Sequence, residues 1–359
     1  MDDRNGAADA EGTRGALWRP GGTRARAIAV LLLALAGSAA VLADEPQFFR
    51  IGTAGTTGTY FQIGGLIASA ISNPPGSPNC QRGGTCGVPG LIAVAQATQG
   101  SVENVELIGK NQLEAAIAQA DVVSWAYHGT GIFKNRAAIP NLRAIGGLFP
   151  ESLHLVVQRD GPIQTLKDLK GKRVALGEKE SGTLVDARIV LEAAGLNEHD
   201  IKADFSRLGE AAAGLRDNNL DALFLLGGYP TPAISDLAGS TPIRLVPIGE
   251  DIFEKLKKRY PFFSRTTVPA GTYQGLGSDT PTLGIRSLLI TGNEVPEALV
   301  YAVTKSLWNE ATRTLLASRN APGDRIQLGQ ALDGLDIPLH PGAERFYREI
   351  GRLSDATKQ

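Results

Sequence analysis

The chain has 359 residues, with 36 basic against 37 acidic and a formal net charge of −1; 43% are hydrophobic and 20% charged. This is the composition of a globular protein with a large core, and the length points to about two domains. It excludes wholesale disorder and shows no basic excess, so no nucleic-acid partner is expected.

Residues 1–43 read as an export signal. Arg14, Arg19, Arg24 and Arg26 precede an apolar stretch from Ala27 to Leu42, which ends at Val41-Leu42-Ala43 before Asp44. The stretch is shorter than the ~20 residues that span a bilayer. Cleavage near Ala43 and a periplasmic mature chain are therefore expected, with a retained membrane anchor as the alternative.

Phe48 to Thr53 reads as a strand, followed by a Gly/Thr loop and a helix from Tyr60 to Ile71. Asn73 to Gly90 is rich in Pro and Gly and reads as an irregular loop. It contains Cys80 and Cys86, a close pair that in an oxidising compartment is expected to form a disulfide. Leu91 to Ala97 is a strand, Ser101 a helix N-cap, and Asp121 to Trp125 a third strand. Leu142 to Leu148 and Leu153 to Gln158 read as two paired strands. A short helix, Gly171 and a buried strand through Val174 come next, then a helix from Thr183 to Ala194 stopped by Gly195. Further strands are expected at Phe205, Ala222 to Leu226, Ile243 to Ile248 and Pro281 to Ile290, with helices between them. Strand, short loop and helix alternate throughout, which is an α/β pattern with largely parallel sheets.

Three segments repeat one design of strand, Gly/Ser/Thr loop and helix start: Gly52 to Tyr60, Glu180 to Thr183, and Gly227 to Thr231. Helix-start N–H groups, the helix dipole and nearby hydroxyls favour a carboxylate or phosphate. The bland reading of each loop is a simple helix cap. No Gly-x-Gly-x-x-Gly or P-loop spacing occurs, so no nucleotide cofactor is expected. No G-x-S-x-G or H-E-x-x-H motif occurs, and His128, His154, His199 and His340 are scattered, so neither catalytic residues nor a metal site can be named.

The chain resembles the TAXI-type solute receptors of tripartite ATP-independent periplasmic (TRAP) transporters, from about Phe49 to Tyr347. The resemblance is carried by Ile51 to Tyr60, Gly100 to Asn104, Leu169 to Val174, Ser181 to Thr183, Pro230 to Pro232, Val268 to Tyr273 and Ile337 to Arg345. It implies a two-lobed, type II periplasmic-binding-protein-like α/β fold with a hinge and an interlobe ligand cleft. Lobe I would comprise 44–157 and 283–359, and lobe II 158–282. The ligand would be a small carboxylate or amino acid, glutamate- or 2-oxoacid-like, delivered to an ion-gradient-driven permease. The ligand loops of the family match Gly58, Thr59, Tyr60, Ser101, Asn104, Ser124, Ser181, Gly182 and Thr183, and more faintly the turn holding Gly228 and Thr231. The alternatives are a receptor for an ABC importer or a sensor kinase, and an enzyme on the same fold.

Overall fold

The computed structural model describes residues 46–78, 80, 86–317 and 322–354. The expected export signal lies outside the described residues. Among them, no helix is long and apolar enough to cross a membrane.

The first lobe opens with β1 (Gln47–Gly52), α1 (Thr59–Ile71), β2 (Ser72–Asn73) and β3 (Val88–Pro89), then β4 (Leu91–Gln96), α2 (Ser101–Gly109), β5 (Ala115–Gln119) and α3 (Ala120–His128). β1 lies between β4 and β5 and is parallel to both. Its side chains alternate as a half-buried strand requires: Phe49 and Ile51 are sealed in the core, whereas Phe48 is exposed.

Next come β6 (Leu142–Gln158), β7 (Arg173–Ala175), α4 (Gly182–Ala193), β8 (Lys202–Asp204), α5 (Leu208–Arg216), β9 (Ala222–Gly227), α6 (Pro232–Ser240), β10 (Ile243–Leu245), α7 (Glu250–Lys257) and β11 (Ser264–Val268). β12 (Thr280–Gly292) leads back to α8 (Glu297–Leu307), α9 (Glu310–Ala317) and α10 (Pro341–Glu349). The strand order is β4-β1-β5-β12-β6-β9-β7-β8. The two long strands join the lobes. β6 pairs with β12 from Leu142 to Ser152 and with β9 from Ser152 to Val157. β12 pairs with β5 from Ser287 onward and with β11 from Thr280 to Gly284. On β6 the pairing with β12 therefore ends at Ser152, where the pairing with β9 begins, and β12 exchanges β11 for β5 between Gly284 and Ser287. The largest hydrophobic cluster follows these strands across both lobes, through Val105, Leu155, Leu226 and Leu288.

Several sequence-based expectations are corrected. Asp121 to Trp125 is helix α3, and the strand is the preceding Ala115–Gln119. A short buried apolar run has no periodicity that separates the two. The two strands expected at Leu142 to Leu148 and Leu153 to Gln158 are one continuous strand running through Pro150, where β12 is the antiparallel neighbour. Ser101 is the first helical residue rather than the N-cap, which is Gly100. The sheet is mixed, because β6 and β12 run antiparallel to their neighbours.

Cys80 and Cys86 are disulfide-bonded. The Cys86 carbonyl accepts hydrogen bonds from Ser306 Oγ and Asn309 Nδ2, which tie it to the α8–α9 corner. Replacing both cysteines with serine should cost about 2 kcal/mol of stability by loop-closure entropy. Solute affinity should stay unchanged, because neither cysteine lines the cleft. Melting and titration of the double variant check both expectations.

Candidate functional site

Two helix starts face each other where β1 and β7 end. α1 begins at Thr59 after Gly58, with no side chain capping it. α4 begins at Gly182 after Ser181, whose hydroxyl accepts from Leu184 N at 3.1 Å and donates to the Glu178 carbonyl at 2.6 Å. The first N–H groups of each helix, including those of Thr59, Tyr60, Gly182 and Thr183, lack intrahelical partners by geometry. Between them lies a cleft of about 80 Å³, room for a small solute rather than a single water.

Gly58, Thr59, Tyr60, Ser101, Ser181, Gly182 and Thr183 all line this cleft. The remaining sequence-derived candidates do not. Asn104 is fully buried, and its Nδ2 donates to the carbonyls of Thr53 at 2.7 Å and Ile117 at 2.8 Å, fastening α2 to the sheet. Ser124 donates to Asp336 Oδ2 at 2.6 Å. The Gly228 carbonyl accepts from the hydroxyls of both Thr59 and Thr231. Thr231 N donates to Tyr273 OH at 3.2 Å. Within the cleft, Thr183 Oγ1 accepts from Leu226 N at 3.1 Å, which leaves its proton available to a ligand.

The lobes are closed on each other. Val102 N and Glu103 N, at the start of α2, donate to the Glu180 carbonyl at 3.1 and 3.2 Å, so these amides are already used by protein. Ala233 N donates to the Thr57 carbonyl at 3.3 Å. Thr59 Oγ1 reaches the Gly228 carbonyl at 2.9 Å. Losing that one neutral bond in Thr59→Ala should weaken solute binding roughly 2- to 10-fold, read by calorimetric titration.

Glu178 is the one charged side chain among the described residues lining the cleft. Burial pushes its carboxyl up, against the opposing pull of Arg207. An anion held here would rely on backbone N–H groups and hydroxyls rather than on Arg or Lys.

Directly behind the cleft is a polar network whose members no sequence pattern groups together. Gln119 ends β5; its N–H donates to Ser101 Oγ at 3.1 Å, and its Nε2 donates to Asp186 Oδ2 of α4 at 2.6 Å. Tyr60 OH donates to Glu151 Oε2 at 2.9 Å. Burial pushes Asp121 up to about 6 and Glu151 up to about 8, and holds Asp186 well above the usual carboxylate range. The available sequence signal was Asp186 itself. It sits one helical turn before the buried Ile189 and Val190, an acid on an apolar stripe. His154, by contrast, is a satisfied core histidine bonded to the Ser152 carbonyl and Tyr273 OH, and burial pulls its pKa down to about 4.

A family model described as NMT1-like matches residues 51–351 of the chain. Solved structures with similar folds include one described as a periplasmic transporter, 14% identical, covering 85% of this chain and 92% of that one, with a TM-score of 0.50. Another is the alkanesulfonate-binding protein SsuA from Xanthomonas axonopodis pv. citri bound to MOPS, 18% identical over 85% of each chain, with a TM-score of 0.46. A third is PhnD1 from Prochlorococcus marinus in complex with methylphosphonate, 13% identical over 86% of this chain and all of that one, with a TM-score of 0.43. At these identities the likeness is one of fold, the two-lobed type II fold of periplasmic solute-binding proteins.

Proposed function

The chain belongs to the NMT1-like family, and from that premise and the cleft we infer that it is a periplasmic receptor that closes on one small anionic solute and hands it to a membrane transporter. The observation that carries this reading is the cleft itself. Two helix starts from different lobes converge on a space with no Lys, Arg or His among its described lining residues. Oriented N–H groups then supply the positive end for a carboxylate, sulfonate or phosphonate. The ligand contacts are proposed at Gly58, Thr59, Tyr60, Ser101, Ser181, Gly182 and Thr183. The hinge is proposed near Ser152 on β6, where pairing with β12 gives way to pairing with β9, and at 284–287 on β12, where β11 gives way to β5.

Delivery to an ABC-type importer is the route we favour. Proteins of like fold are described as parts of such systems, one a sulfonate ABC transporter and another an amino acid ABC transporter. Delivery to a TRAP-type permease, the expectation from the motif resemblance, rests on those sequence segments alone. Nothing in the cleft calls for a catalytic role.

A melting-temperature screen of carboxylates, amino acids, alkanesulfonates and phosphonates tests the receptor reading. A true ligand at about 100 times its Kd stabilises by about 2.7 kcal/mol. Failure of every class to shift the melting temperature would contradict the reading. Uptake into vesicles that hold the candidate permease, with ATP or with an ion gradient alone, distinguishes the two routes.

A further inference from the structure

Asp121, at the start of α3 in lobe I, and Asp186, on α4 in lobe II, are 1% and 0% exposed. Asp186 is bonded to the Gln119 side chain, two residues before Asp121, and each carboxyl acts on the other's proton affinity. Asp121 Oδ1 accepts from Val122 N at 2.7 Å, and Asp186 Oδ2 accepts from Gln119 Nε2 at 2.6 Å. The other oxygen of each, Asp121 Oδ2 and Asp186 Oδ1, is buried and reached by no donor among the described residues. Two ionised carboxylates accept only, and side by side in a dry site they repel. A single proton held between the two unsatisfied oxygens supplies both. Glu151, on the joining strand β6, adds a third buried carboxyl with an unpartnered Oε1.

We propose that Asp121 and Asp186 form a proton-binding site that exists only when the lobes are closed, so that closure takes up protons and opening releases them. This rests on the hinged, two-lobed reading but on no particular solute. Opening separates α4 from β5 and α3, breaks the Gln119–Asp186 bond, and returns both carboxyls to water.

The groups facing the pair are Glu151 on β6, Tyr60 on α1 and Tyr260 beyond α7. The charges that act on the three carboxyls are one another's. Burial, the largest cause for each, raises all three above the ~4 of a solvated carboxyl. Raised values in the closed state mean that its advantage is complete below about pH 4 and is lost as pH rises through about 6 and about 8.

Small-angle scattering of the solute-free protein from pH 5 to pH 9 tests this. The radius of gyration should be smallest at pH 5 and should grow as the cleft opens, with its midpoint between about pH 6 and pH 8. In Asp186→Asn, the amide can accept from Gln119 and donate to Asp121 with no added proton. That variant should stay closed to at least 1 pH unit higher than the wild type. Asp121→Asn places the same donor on the other side of the pair and should behave alike, which covers a folding failure of the first variant. A wild-type radius that is unchanged across the range overturns the proposal, as does an unshifted midpoint in the folded variant. No solute is needed, so failure of the ligand screen and failure of this test are separate results.

Discussion

Gly182→Ala is expected to weaken solute binding roughly 10- to 100-fold while the chain still folds. A Cβ built on Gly182 would lie 1.3 Å from Gln119 Oε1 and 2.3 Å from its Cδ. A long side chain free to swing aside would absorb that clash. Gln119 is not free, because its Nε2 donates to Asp186 and its Oε1 accepts from Ser101 Oγ. Making room for the methyl group therefore breaks a bond to a buried acid group, of a class that contributes about 1.5–3 kcal/mol. That bond joins lobe I to lobe II, so its loss falls on the closed state and is read as affinity. The hydrophobic clusters include none of Gln119, Gly182 and Asp186, so the melting temperature of the solute-free protein should move little. Calorimetric titration and melting of the same preparation check the pair of outcomes. Unchanged affinity would show that the close approach of Gly182 to Gln119 does not matter to closure.

Asn104→Leu should give the reverse pattern, a loss of about 2–4 kcal/mol of stability with solute affinity nearly unchanged. The side chain is sealed from solvent, and its amide satisfies the carbonyls of Thr53 and Ile117 while its oxygen accepts from Thr98 Oγ1 at 2.8 Å. Leucine leaves both carbonyls buried without a donor, at about 1–3 kcal/mol each before relaxation. For a chain of this size the melting temperature should fall by several degrees. The motif resemblance placed Asn104 among the ligand contacts. An affinity loss with intact stability would restore it to that role.

The fold was legible in the sequence where one period dominated. The strand at β1 follows from the residues alone, as do the glycine stops at Gly171 and Gly195. What misled was context. Val122 and Val123 are as apolar as a strand, yet they lie one turn inside a helix whose first residue follows β5 directly. Phe149-Pro150-Glu151 looks like a turn, but Pro150 sits within β6 opposite Arg286 of β12, and the strand continues. The Gly/Ser/Thr loops announced the cleft because helix starts are local features. Asp121, Glu151 and Asp186 could not be grouped from sequence, because they meet only after β6 and β12 fold the lobes together. Gln119, which links the cleft to that acid cluster, is an unremarked strand end until Gly182 is packed against it.

Calorimetric titration of the wild type and Gly182→Ala with L-glutamate, 2-oxoglutarate, methanesulfonate and methylphosphonate tests the central claim most directly, that solute is held between the lobes at the starts of α1 and α4. The expected result is saturable one-to-one binding of at least one of these solutes by the wild type, weakened at least 10-fold in the variant. A solute bound equally well by both proteins, or consumed by either, would contradict it.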